Sequence, residues 1–255
     1  MPRNNWKNKD ERLHKAEAHN RYMEENYGSE IRYSIENSEV IRNIAHKTGT
    51  GNPVIKVLDT DTVSAAFGYY GEKQPQDHKV TVLNFASYKH PGGGYMSGAV
   101  AQEEALCHES FLYNVLSAFG DYYEQNKTDL NLGMYRNAAI YSPDVVFEHD
   151  GKAEKLNVIT CAAPNYSVGL RYGKFGREEN TKALLSRIEF IRDIAETKGS
   201  DLLVLGAYGC GVFRQDPTET AEIFKTTFER SDIPVIFFAV PGGKNLEAFV
   251  KVFGE

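Results

Sequence analysis

The sequence predicts an α/β fold with a mixed central sheet, helices on both faces and an N-terminal helical extension. Three observations carry this. After Pro53, short apolar runs rich in β-branched residues alternate with stretches of helical periodicity. Before it, the chain is polar, rich in Asn, Lys and Glu, and poor in aliphatics. Two glycine-rich segments directly follow strand-like runs, where ligands bind in open α/β sheets.

Residues 10–27 read as a polar surface helix, and residues 31–50 as further helix and loop. The turn cluster Thr48-Gly49-Thr50-Gly51-Asn52-Pro53 marks a boundary, giving an accessory region 1–52 and a main domain 53–255. Val54 to Leu58 is a short strand, and Lys79 to Ala86 (KVTVLNFA) a clear one. Gln102 to Phe119 reads as one helix. Ala138 to Tyr141 and Val145 to Phe147 read as strands joined through Ser142-Pro143-Asp144, and Leu156 to Ala162 as another strand. Arg177 to Lys198 is a long helix stopped by Gly199. Strands at Leu202 to Leu205 and Val235 to Ala239 enclose a helix over Thr218 to Glu229, and a helix over Asn245 to Phe253 closes the chain.

At 255 residues the chain can bury a full core without disulfide or metal staples. Its net charge of -6 argues against a general nucleic-acid binder, so a nucleotide-like ligand has to be held by a local site. The cysteines Cys107, Cys161 and Cys210 are odd in number and widely spaced, which indicates neither a disulfide framework nor a zinc site. The histidines are equally scattered, so no metal is expected. The longest apolar run, Ile233 to Val240, is too short to span a bilayer, and the N-terminus lacks a signal-peptide core. A reduced, cytoplasmic monomer is the expectation.

Three segments carry candidate chemistry. In His90-Pro91-Gly92-Gly93-Gly94, the glycines would let backbone approach a ligand and present successive N–H groups to an anion such as a diphosphate; the competing reading is a flexible turn. Seven residues later, Gln102-Glu103-Glu104 opens a helix, where acids are favoured by the macrodipole in any case. Successive helical residues point about 100° apart, so Glu103 and Glu104 cannot be a facing pair; if both act, they act on different atoms of one ligand. In Gly206-Ala207-Tyr208-Gly209-Cys210-Gly211-Val212-Phe213, the glycines would free backbone to wrap a phosphate at a helix N-terminus. The lysine and hydroxyl residue of a nucleotide-hydrolysing P-loop are missing. Phe213 either stacks on a ligand or anchors the loop. Asn84, at a strand end, either contacts a ribose or caps the turn, and Asn165 after Pro164 reads as turn chemistry.

Together, a strand, NFASYKHPGGG, seven residues, QEE and a later GAYGCGVFRQDP loop resemble the microbial type of poly(ADP-ribose) glycohydrolase. The resemblance runs from about Ile55 through TCAAPN to the final strand. It implies a macrodomain-like three-layer fold and a hydrolase that cuts ribose–ribose O-glycosidic bonds to release ADP-ribose, free of cofactor or metal. It implies Glu104 as general acid and base and Glu103 as the residue holding a ribose through its hydroxyls, with Gln102 beside them at the substrate. Gly92, Gly93 and Gly94 would form one phosphate-facing loop, and Gly209, Cys210, Gly211 and Val212 the other. Phe213 would pack by the distal ribose, Asn84 would contact a ribose, and Asp61 would read the adenine amine. ADP-ribose or its polymer, free or carried on modified proteins, would be the partner, with no membrane involved. One departure is visible: an Arg-Ser pair is expected after QEE-A-L-C, and this chain has His108-Glu109.

The leaving ribose oxygen needs a proton, which a carboxylic acid held above its ordinary pKa can supply. Once ionised, the same group can activate water. A module that only reads ADP-ribose would need the two loops but not Gln102-Glu103-Glu104. A hydrolase of mono-ADP-ribose on protein or nucleic acid would share every one of these features.

Overall fold

The computed structural model describes residues 9–73 and 78–254. Helix α1 (Lys9–Asn37) leads into strand β1 (Glu39–Ile41), then β2 (Val54–Leu58), α2 (Thr62–Lys73) and β3 (Val80–Phe85). Three short helices follow, α3 (Gln102–His108), α4 (Leu112–Ser117) and α5 (Gly120–Thr128). The chain continues through β4 (Ala139–His149), β5 (Lys152–Cys161), α6 (Tyr166–Tyr172), α7 (Arg177–Lys198), β6 (Leu202–Leu205), α8 (Pro217–Phe228), β7 (Val235–Ala239) and α9 (Gly243–Phe253).

Among the described residues, seven strands form one sheet in the order β1-β4-β5-β3-β6-β7-β2. β1, β4 and β5 pair antiparallel, while the β5-β3-β6-β7-β2 side is parallel. Period-two alternation sends side chains to two separate cores. Val80, Val82, Leu202 and Val204 pack with α1 to α4, and Leu83, Leu203, Leu205, Ile236 and Phe238 pack with α7 to α9. The result is the three-layer α/β/α arrangement that the alternating pattern predicts. β3 and β6 lie at the centre, so their carboxyl ends place the following loops side by side.

Five sequence expectations need correction. α1 does not stop near residue 27: it runs on to Asn37 across a kink at Tyr27, whose hydroxyl donates to Glu148 Oε1 at 2.6 Å. After it, β1 joins the main sheet beside β4. The run from Gln102 to Phe119 is broken where Ser110 bridges to Phe147 and Glu148 N donates to Glu109 O at 2.8 Å, so strand backbone takes groups a helix would need. Ser142-Pro143-Asp144 is a bulge within β4, with Asp144 at φ 54°, and not a hairpin turn. The turn lies at Asp150-Gly151, both at positive φ, the conformation Asp-Gly favours between paired strands. Finally, α2, α5 and α6 are helices where the sequence predicts none.

α1 is not a loose arm. Ala16, Met23 and Ile31 are buried in the same core as β3 and α3. Tyr95, just after the glycine run, donates its hydroxyl to Ala16 O at 3.2 Å and Asn20 Oδ1 at 3.1 Å.

Candidate active site

A cavity of about 860 Å³ opens over the carboxyl ends of β3 and β6. Its walls come from the loop after β3, the first turn of α3, the loop after β6, and Asp61 at the start of α2.

The site is built on β3. The Gln102 side chain accepts from Phe85 N at 2.8 Å and donates to Leu83 O at 2.8 Å and Thr62 Oγ1 at 3.2 Å. β6 is paired with β3 only as far as Val82, and Ala86 N points the other way, to Cys161 O on β5. The primary amide therefore extends the ladder on the side that β6 leaves open. Most of the hydrogen-bonding capacity of Gln102 goes to the strand, so its first task is to clamp α3 to it.

That clamp buries both acids: Glu103 is 3% and Glu104 6% exposed, and both line the cavity. Glu103 accepts from Ser87 N at 2.7 Å and Asn84 Nδ2 at 3.3 Å. Glu104 accepts from Gly94 N at 2.7 Å and Ala101 N at 3.1 Å. Burial pushes Glu103 up to about 8, against these donors and with a smaller push from the neighbouring Glu104 carboxylate.

The triple glycine is wrapped around these acids and does not form the anion nest expected of it. Gly94 N is directed at Glu104, Gly93 N at His90 O, and the Gly92 backbone also bonds Glu103. Carboxylates already fill the positions an anion would take. Gly93 has φ 60°, and a Cβ there would lie 2.6 Å from Glu103 Oε2 and 2.8 Å from Glu104 Oε1. Gly93 and Gly94 line the cavity, whereas buried Gly92 backs onto Tyr113.

The loop after β6 is different. Cys210 N, Arg214 N and Gln215 N close turns within the loop, while among the described residues nothing accepts from the N–H groups of Gly211, Val212 or Phe213. This is the better anion cradle. The expected contribution of a helix N-terminus is absent: Asp216 caps α8, accepting from Glu219 N at 2.9 Å, and puts a carboxylate there. Gly209, Gly211, Val212 and Phe213 line the cavity, with Val212 81% exposed at its rim. Cys210 does not; its thiol faces Thr220 and Tyr208 O, and burial pushes it up to about 12.

Asn84 is fully buried behind Glu103, off the cavity wall, with its amide donating to Glu103 and Thr160. It supports an acid more directly than it could touch a ligand. Asp61 lies on the wall and caps α2, accepting from Ser64 N at 2.9 Å and Ser64 Oγ at 2.8 Å. Ser64 Oγ is 3.2 Å from His149 Nε2, and His149 Nδ1 is 2.6 Å from Glu109 Oε2. Glu109, which the sequence reading left unassigned, also lines the cavity, and burial raises its pKa. His108 packs edge-on against Tyr95, and burial lowers it to about 4. Asn165, which the sequence offers only as turn chemistry, and Tyr135, which has no sequence signal of its own, are further wall residues. Tyr135 stacks on Tyr88 with ring centroids 4.2 Å apart and meets Phe213 edge-on at 6.2 Å.

Among the described residues, no group of three or more His, Cys, Asp or Glu is placed to hold a metal ion, and no helix is long and apolar enough to cross a membrane.

The family model described as the catalytic domain of microbial-type PARG, the poly(ADP-ribose) glycohydrolases, matches residues 9–150. Among solved structures, poly(ADP-ribose) glycohydrolase from Thermomonospora curvata is 27% identical, with a TM-score of 0.83 over 96% of this chain and 100% of that one. The same enzyme bound to the inhibitor ADP-HPD is 28% identical, with a TM-score of 0.82 over 95% of this chain and 99% of that one. The Deinococcus radiodurans glycohydrolase in complex with ADP-ribose is 28% identical, with a TM-score of 0.77 over 88% of this chain and 96% of that one. No curated protein sequence matches the chain.

Proposed function

Since the chain belongs to the microbial-type poly(ADP-ribose) glycohydrolase family, we propose a course for its reaction in terms of the residues of this cavity. The protein is a hydrolase of poly(ADP-ribose). The observation that carries the reaction course is the pair of buried carboxylates on the cavity wall, each held by backbone N–H donors. Glu104 protonates the leaving ribose oxygen as the glycosidic bond lengthens and positive charge develops on the anomeric carbon. It then takes a proton from the water that adds to that carbon, so one residue serves both half-steps. Glu103 holds a hydroxyl of the reacting ribose. The diphosphate lies along the free N–H groups of Gly211, Val212 and Phe213, Phe213 packs by the distal ribose, and Asp61 receives the adenine amine. The product is ADP-ribose. Residues 1–52 act as an accessory region, in which α1 braces the glycine loop through Tyr95, and the enzyme works as a cytoplasmic monomer on polymer carried by modified proteins.

A second assignment has one observation behind it. Burial pushes Glu103 up to about 8, which makes it an acid available at neutral pH. In that version it delivers the proton and Glu104 orients the ribose.

The deciding experiment is incubation with auto-modified polymer in chelator-containing buffer. Release of ADP-ribose is expected. Polymer that binds and stays intact would make the protein a reader, and release from mono-ADP-ribosylated acceptors alone would make it a hydrolase of the single modification.

A further inference from the structure

A second cavity, of about 520 Å³, opens on the other side of Tyr135, which walls both. Tyr135 holds φ 61°, a left-handed conformation that is strained for a residue with a bulky side chain, and its ring is fixed between Tyr88 and Phe213. Asn131 and Leu132, just before it, also have positive φ. Backbone held this way persists where its surroundings over-determine it, most often at functional sites.

The walls of this second cavity carry Arg42, Arg136 and Arg187. Arg136 is paired with Asp129 at 2.9 Å. The other two have neutral partners. Arg187 is 1% exposed and donates to Asn137 Oδ1 and to the carbonyls of Ala162 and Met134. Arg42 donates to Asn126 Oδ1 and Gln125 Oε1, both at 3.2 Å, and lies 5.3 Å from the Tyr122 ring centroid. Neutral acceptors orient a guanidinium without cancelling its charge, and a buried charge is ordinarily paired. One buried guanidinium, Arg187, and one half-buried guanidinium, Arg42, face one groove in a chain of net charge -6. Asn43, Asn131 and Asn137 add amide groups to the same wall.

We propose that this groove is a second anion subsite, and that it takes the diphosphate of the neighbouring unit of the polymer, across Tyr135 from the bond that is cut. This rests on the reading of the main cavity as the place of cleavage. There the distal ribose lies by Phe213, so the remaining chain leaves the cavity on the Tyr135 side. Each further unit of the polymer brings two negative charges, and planar guanidinium groups suit phosphate oxygens. Arg187 is the fixed charge at the base of the groove; Arg42 and the exposed Arg136 are the groups a ligand would meet on its sides.

The test uses the full chain with the main cavity saturated by ADP-ribose and titrated calorimetrically with inorganic diphosphate. Wild type should bind diphosphate. Arg42→Gln and Arg136→Gln should each weaken it on the order of tenfold, the loss expected for one charge-assisted hydrogen bond. In parallel, the double variant should raise KM for long polymer by a similar factor per arginine, with kcat and affinity for free ADP-ribose unchanged. No diphosphate binding by ADP-ribose-saturated wild type, or an unchanged polymer KM in the double variant, overturns the proposal. Wild type that binds diphosphate here but cuts no polymer overturns the glycohydrolase reading, and with it the polymer as occupant of the groove.

Discussion

The backbone N–H of Gly94 donates to Glu104 Oε1 across 2.7 Å, so the glycine run and the first turn of α3 form one rigid unit. The neighbouring Gly93 fits because it has no side chain: a Cβ would meet both carboxylates inside 3 Å. Even Gly93→Ala should displace the acids, and Gly93→Val should do so more strongly. Loss of most turnover and weaker binding of ADP-ribose are expected in a protein that still folds. Calorimetry and polymer cleavage on the alanine variant check this; wild-type values for both would return the triple glycine to the status of a turn.

The two acids should separate under isosteric substitution. Glu104→Gln keeps an oxygen for Gly94 N but cannot cycle a proton, so turnover should fall roughly 10²–10⁴-fold while ADP-ribose still binds. Glu103→Gln changes the hydrogen-bonding group offered to the ribose and should weaken binding by about 0.5–1.5 kcal/mol, the range for a neutral hydrogen bond. Single-turnover cleavage and ligand affinity, measured for both, assign the roles. The reverse pattern, turnover lost in Glu103→Gln with binding intact, makes Glu103 the proton donor.

Glu103 also makes a stability prediction. Its carboxyl is raised from 4.5 to about 8, so between those values the folded state binds a proton that the unfolded state has released. Its contribution is fully present below about pH 4.5 and is lost as pH rises through 8. Wild type should therefore lose stability relative to Glu103→Gln from pH 5 to pH 8, by at most about 1.4 kcal/mol per pH unit. Urea midpoints for the two proteins across that range are the measurement, and parallel profiles would show that Glu103 is ionised throughout.

Gln102→Ala removes three hydrogen bonds at the end of β3 and leaves Leu83 O and Phe85 N unanswered. A destabilisation of about 1–3 kcal/mol is expected, with turnover falling more than affinity because α3 is no longer registered on the strand. Thermal unfolding and the split between kcat and KM test this together. A variant as stable and active as wild type would mean the clamp is dispensable.

The central strands were legible because buried parallel strands are unbroken apolar runs, as in Val80–Phe85 and Leu202–Leu205. α2 was not, since Gly68 and Gly71 dilute the helical signal in TVSAAFGYYGEK, although Asp61 stands before it as a cap. Asp150-Gly151 is a turn signal that competes in the sequence with Ser142-Pro143-Asp144, and the extra residues at the latter, a bulge, are absorbed by Asp144 N donating to Asn157 Oδ1 at 3.2 Å. In the candidate site, adjacency alone gave Glu103 and Glu104 different directions. Sequence could not say that the glycine N–H groups would turn onto the acids, since that depends on how loop and helix fold back on each other. Tyr135 and Glu109 carry no local pattern, and only the tertiary fold brings them to the wall.

The amide of Gln102 stitched onto β3 also divides the protein by how readily its parts open. α3 cannot peel away without exposing polar groups of a central strand, so the acids belong to the same cooperative unit as the core. Amide protons at Ser87, Gly94 and Ala101, all held by those acids, should exchange as slowly as the sheet itself. Breathing is left to the rim, where Val100 and Val212 stand 71% and 81% exposed. Ligand entry and exit are thereby separated from the chemistry, through motions of the margin that leave the acids in place.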